Sequence, residues 1–186
     1  MRYILLFLLT TSIFSCTQNA NDPQKIVDRA IETAGGSKFL TSTIAFDFRD
    51  RHYIAKRNGG MYSYQRIFID TTNTTYHDFL SNDGFTRKIN GEVAVLPDTM
   101  SAKYARSTNS VIYFALLPYG LNDPAVKKEF IGETTIKGQP YKKIKVTFGE
   151  QGGGEDHDDI FIYWIHADKF TVDYFGYSYH TDGGGV

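Results

Sequence analysis

Between Thr43 and Leu96 the sequence repeatedly reverses direction. Short alternating segments are separated by Asn58-Gly59-Gly60, Asp70-Thr71-Thr72-Asn73, Asn82-Asp83-Gly84 and Asn90-Gly91. Asn-Gly and Asp-Gly steps tolerate the positive φ that tight hairpins require. Alternation with period 2 gives each intervening strand one face to bury. Ile44, Phe46 and Phe48, for instance, alternate with Ala45, Asp47 and Arg49. The pattern predicts strands from Thr43, over Tyr53 to Lys56, Met61 to Asp70, Thr74 to Phe79, Phe85 to Ile89 and Glu92 to Leu96. Joined by such short turns, they form an antiparallel meander.

Helical signals flank this meander. Asp22-Pro23 pairs a capping carboxylate with a proline suited to the first helical position. Ile26, Val27, Ala30, Ile31 and Ala34 then recur on one helical face until Gly35-Gly36. After Pro97, a turn of helix is expected over Ala102 to Ala105, and a buried helix over the apolar run Asn109 to Leu117. Asp123-Pro124 is expected to start a short helix through Val126. Strands resume over Lys128 to Ile136, Tyr141 to Phe148, Ile160 to Ile165 and Phe170 to His180. Ile160 to Ile165 is apolar on both faces and calls for two coverings, one by helices and one by something else. The expected fold is mainly β with helices (α+β), a single domain over residues 22–186 in which the meander curves into an open half-barrel covered by helices. A strand followed only by Gly183-Gly184-Gly185-Val186 leaves a sheet edge unprotected, so a C-terminally truncated chain is expected.

The front of the chain reads as an address. Arg2 precedes an apolar run beginning at Tyr3 and ending at Ile13-Phe14-Ser15-Cys16, too short to span a bilayer and suited to a signal peptide. Ile13-Phe14-Ser15-Cys16 resembles the lipobox of bacterial lipoproteins. That resemblance implies cleavage of residues 1–15, acylation of Cys16 and a polar tether over residues 16–21. Membrane attachment through this lipid would hold a periplasm-facing body at the cell envelope, in the manner of an outer membrane lipoprotein. The alternative is a plain secretory signal with a coincidental cysteine.

Composition narrows the function. One cysteine excludes a disulfide framework and a four-cysteine zinc site. A net charge of −1 gives no basic field for nucleic acid. No Gly-x-Ser-x-Gly elbow, phosphate loop or dinucleotide fingerprint occurs. No catalytic residue is therefore named, and no cofactor is expected. Glu155, Asp156, Asp158 and Asp159 flank His157 in a loop that is a weak metal candidate, since crowded carboxylates repel unless a cation or solvent screens them. A solvated hairpin tip is the favoured explanation. The histidines, His52, His77, His157, His166 and His180, lack zinc-binding spacing and read as ordinary hydrogen-bonding groups.

The remaining signal is aromatic. Phe, Tyr and Trp make up 15% of the chain and concentrate in strands. They form either a core or the lining of an apolar cavity. The cavity candidates are Phe46, Phe48, Tyr113, Phe114, Phe161, Tyr163, Trp164 and Tyr174.

A lipidated cysteine, a helix ending in Gly-Gly, a long meander, a helical insertion and further strands together resemble the lipoprotein carriers LolA and LolB. That resemblance implies an unclosed barrel with helices over a hydrophobic cavity. Asn109 to Phe114, Leu121 to Val126 and Tyr163 to Ile165 are similar to segments of an uncharacterised bacterial lipoprotein family. A deoxyribose-phosphate aldolase assignment carried by some members of that family does not fit, because a TIM barrel needs helices alternating with its strands. The expected function is non-catalytic binding of a lipid or acylated ligand. Alternatives are a recognition module in which Tyr174, Tyr177 and Tyr179 stack on glycan or protein, and a metal-dependent enzyme.

Overall fold

The structure, a computed structural model, describes residues 20–149, 159–178 and 185. Two open antiparallel sheets dominate it. The first contains β1 (Thr43–Phe48), β2 (Arg51–Asn58), β3 (Met61–Ile69), β4 (Thr75–Ser81), β5 (Gly84–Ile89) and β6 (Glu92–Val93), in that spatial order. The second contains β7 (Val126–Ile136), β8 (Gln139–Phe148), β9 (Ile160–His166) and β10 (Val172–Ser178), again with sequence neighbours paired. Neither sheet closes on itself. The α+β class and the meander match expectation, but the strands divide into two sheets. The break falls at the helical insertion, where the chain leaves β6 and returns at β7.

Helix α1 (Pro23–Ala34) forms where the sequence places it. The Asp22 carboxylate accepts from the Gln24 N–H at 3.0 Å, Pro23 occupies the first turn, and Gly35 ends the helix at φ 150°. Ile26, Val27 and Ala30 pack onto Ile144 and Val146 of β8 and Phe161, Tyr163 and Ile165 of β9, with Leu121 completing the cluster. Each such aliphatic side chain contributes about 1.5–3 kcal/mol by leaving water. A polar chain fixes the helix angle: Gln24 donates to Asn122 Oδ1 at 2.8 Å, and Asn122 donates to Asp28 at 2.7 Å.

Helix α2 runs continuously over Asp98–Ala115, correcting the expected division into a turn and a separate apolar helix. It crosses the inner face of the first sheet over β3, β4 and β5. Ile112 and Leu116 pack with Tyr53, Ala55 and Tyr64, and with Phe39 from a short 3-10 turn, Gly36–Leu40, that the sequence reading missed. The helix expected from Asp123 is also corrected. A 3-10 turn occupies Tyr119–Asn122, and extended structure begins at Val126. No helix among the described residues is long and apolar enough to cross a membrane.

The double covering expected for Ile160 to Ile165 needs correction as well. Phe161, Tyr163 and Ile165 are buried beneath α1, whereas Ile160, Ile162 and Trp164 on the other face are half-buried. The Trp164 ring lies against Gly176, where an added Cβ would sit 3.7 Å away.

Candidate functional site

Register across the first sheet sets two rows of side chains beneath α2. Tyr53 of β2 pairs with Arg66 of β3, Arg66 with Asp78 of β4, and Asp78 with Arg87 of β5. Paired residues share a face, so these side chains line up across the inner surface. In the adjacent row Phe68 of β3 pairs with Tyr76 of β4, and their rings stack at 4.8 Å.

Asp78 is the centre of this arrangement. Its Oδ2 accepts from Arg66 Nε at 2.8 Å and from the Arg66 terminal nitrogen at 2.6 Å. Arg87 Nε donates to Asp78 Oδ1 at 2.6 Å, and its terminal nitrogen donates to Oδ2 at 2.9 Å. Exposure is 2% for Arg66, 0% for Asp78 and 6% for Arg87. Two guanidinium groups therefore share one carboxylate away from water, leaving a buried surplus of one positive charge. The Arg87 guanidinium carbon sits over the Tyr104 ring of α2, 3.5 Å from its centre, and Ser107 Oγ accepts from Arg66 at 2.8 Å. Burial opposes the Arg87 charge, but Asp78 and Tyr104 outweigh it and hold the guanidinium more firmly protonated than usual.

Above this floor opens a cleft of about 390 Å³, lined by Arg51, Arg66, Phe68, Asp70, Tyr76, Arg87, Lys103, Tyr104 and Ser107. Its size falls within the range of small-molecule sites. The Arg51 guanidinium lies 4.6 Å from the Phe68 ring centre. Asp70 accepts from the Thr72 hydroxyl at 2.7 Å and from the Thr74 N–H at 3.0 Å; these bonds hold its carboxyl below the usual range. Tyr76 donates to the same carboxylate at 3.2 Å, and burial first, then that bond, raises its hydroxyl. Four cationic side chains and the Asp70 carboxylate line the cleft and Asp78 lies beneath it, a surplus of two positive charges; Arg51 Nε also lies 3.9 Å from Asp50, but that carboxylate is 80% exposed and water weakens the pairing. A site of this kind attracts an anion bearing an apolar or aromatic substituent.

The residues singled out from sequence lie at separate places in the fold. Phe46 stacks on Tyr53 at 5.3 Å within the α2 cluster, and Phe48 is exposed beside Arg49. Phe161 and Tyr163 are buried core beneath α1, and Phe114 stacks on Phe175 at 5.5 Å against the same cluster. The Tyr113 and Tyr163 hydroxyls influence each other's ionisation, yet neither makes a well-formed hydrogen bond. Burial pushes both upward. Trp164 and Tyr174 occupy the opposite face of the second sheet. Tyr174 there meets Tyr141 edge-on at 5.5 Å. Tyr141 is pushed up to about 12 by burial and by the Asp173 carboxylate, to which it donates at 2.9 Å.

Cys16, Glu155, Asp156, His157, Asp158, Tyr179 and His180 lie outside the described residues. Asp159 is half-buried just before β9, and no metal-holding group of three His, Cys, Asp or Glu residues occurs among the described residues. His52 bonds Asp47 at 2.7 Å and His77 bonds Gln65 at 2.9 Å. His166 Nδ1 accepts from the Asp168 and Lys169 N–H groups, so Nε2 carries the hydrogen shared with Gln139.

The sequence reading missed the cleft entirely. The available signal was the parity of Arg66, Asp78 and Arg87, which share their strand faces with Phe68, Tyr76 and Phe85 rather than with the solvent-facing positions. A family model described as a family of unknown function (DUF6503) matches residues 2–186. No curated protein matches the chain.

Proposed function

The chain belongs to the family of unknown function DUF6503, and for it we propose non-catalytic binding of an anionic ligand that carries an apolar or acylated body. The observation that carries this reading is the cleft beneath α2, where a surplus of two positive charges meets the faces of Phe68, Tyr76 and Tyr104. Charge and aromatic surface in one concavity suit an amphipathic molecule better than a purely apolar or purely ionic one. Acylation of Cys16 would hold the domain at the cell envelope, facing the periplasm. The two open sheets, each with a helix on one face, are compatible with a LolA/LolB-like half-barrel divided by the α2 insertion.

Fluorescence displacement with anionic and neutral amphiphiles of equal chain length tests the reading. The anionic member should bind and the neutral one should not. Equal binding of both, or of neither, would sink it. A surface-recognition role is the second reading, favoured by Tyr174 and Trp164 on the outer face of the second sheet. Tyr177 does not join them: its ring stacks at 5.2 Å on Phe161, on the core side.

A further inference from the structure

The cleft assigned above is also informative about the charge of what fills it, and the inference rests on that assignment. Asp78 already accepts four N–H groups, so it cannot neutralise a second guanidinium in full. An uncompensated charge out of water is unfavourable. The lining carboxylate, Asp70, is engaged by Thr72, Thr74 and Tyr76, and those bonds keep it ionised at neutral pH. Asp50, 3.9 Å from Arg51, is 80% exposed and screened by water, so the surplus of two positive charges inside the cleft persists at pH 7. A carboxylate ligand would cancel one of them. A phosphate monoester carries about −1.5 to −2 at pH 7 and cancels both.

From this charge balance and the donors around it, we propose that the ligand's anionic group is a dianionic phosphate monoester. Arg51 from β2 and Lys103 from α2 both line the cleft and supply the direct contacts. Ser107 accepts its hydrogen bond from Arg66, so its own hydrogen is available to a phosphate oxygen. Arg66 and Arg87 act from beneath as a fixed field, because their donor edges are turned onto Asp78. At about 390 Å³ the cleft has the volume of roughly a dozen waters, more than a phosphate fills, and Phe68 and Tyr104 line the remainder for the substituent.

Isothermal titration calorimetry of the full chain with octyl phosphate, octanoate and inorganic phosphate tests this. At pH 8 octyl phosphate should bind at least about tenfold more tightly than octanoate. The ratio should shrink toward one at pH 5, where the phosphate becomes a monoanion. Arg51→Gln and Lys103→Gln, both at the rim, should each collapse the preference. Inorganic phosphate binding as tightly as octyl phosphate would support free phosphate as the source; weaker binding would support a phosphorylated amphiphile. Equal binding of octyl phosphate and octanoate, or a preference unchanged in both variants, would overturn the phosphate assignment while leaving the anionic cleft standing. Binding of none of the three would defeat both.

Discussion

Replacing Asp78 by Asn changes one buried oxygen to an amide and keeps the shape, so it isolates the charge. The wild-type carboxylate accepts four N–H bonds of 2.6–2.9 Å from Arg66 and Arg87. At about 1.5–3 kcal/mol for each charge-assisted bond, the gross sum is about 6–12 kcal/mol. That sum overstates the loss, because the guanidinium groups gave up hydration to reach this site. Breaking a buried ion pair from one side costs about 3–5 kcal/mol. We expect that loss in urea unfolding, with a fall in Tm of roughly 6–20 °C for a chain of this size. The same measurement at raised salt should change the difference little, since buried charges are poorly screened. The combined Arg66→Met, Asp78→Leu, Arg87→Met variant removes all three charges and should recover most of the loss. A cost below about 1 kcal/mol for Asp78→Asn would show that water reaches the triad and refute the buried surplus of charge.

Leu121, fully buried between α1 and the second sheet, should cost about 2–5 kcal/mol when cut to Ala, measured by chemical denaturation. Gly120→Ala should cost about 1–3 kcal/mol, because its Cβ would meet Tyr113 Cε2; an unchanged midpoint would contradict the close approach. Tyr163→Phe removes a buried hydroxyl that lacks a well-formed hydrogen bond, so its unfolding midpoint should stay level or rise. The folded-state pKa of Asp70 is lowered, so its contribution is present above the ordinary Asp value of 3.8 and is lost as pH falls through the folded value. Stability curves of wild type and Asp70→Asn should therefore converge at acid pH and separate above about pH 4; parallel curves would contradict the hydrogen-bonded carboxylate.

The elements with local chemistry were readable in the sequence. Asp22-Pro23 and Gly35-Gly36 bracket α1 because caps depend on single residues. The Asn-Gly and Asp-Gly steps bracket the hairpins because turn conformation is equally local. Helix α2 was harder. Its first ten residues carry Lys103, Arg106 and Ser107 and gain their order by lying on the sheet, a tertiary effect that periodicity does not record. The cleft was hidden by an inversion of the usual pattern. In β3 the inner face holds Tyr64, Arg66 and Phe68, while Met61 and Ile69 are exposed. Alternation alone sends Arg66 outward. Only the register bringing Asp78 between Arg66 and Arg87 makes an inward arginine favourable. Conversely, Phe161 and Tyr163 are as compatible with cavity lining as with core on sequence alone, because a strand apolar on both faces does not say which face a helix covers.

NMR mapping with octyl phosphate locates the ligand on the fold. Arg51, Phe68, Tyr76, Lys103 and Tyr104 should carry the largest shift changes, with the outer face of the second sheet silent. Changes centred on Trp164 and Tyr174, with the cleft unmoved, would contradict this location.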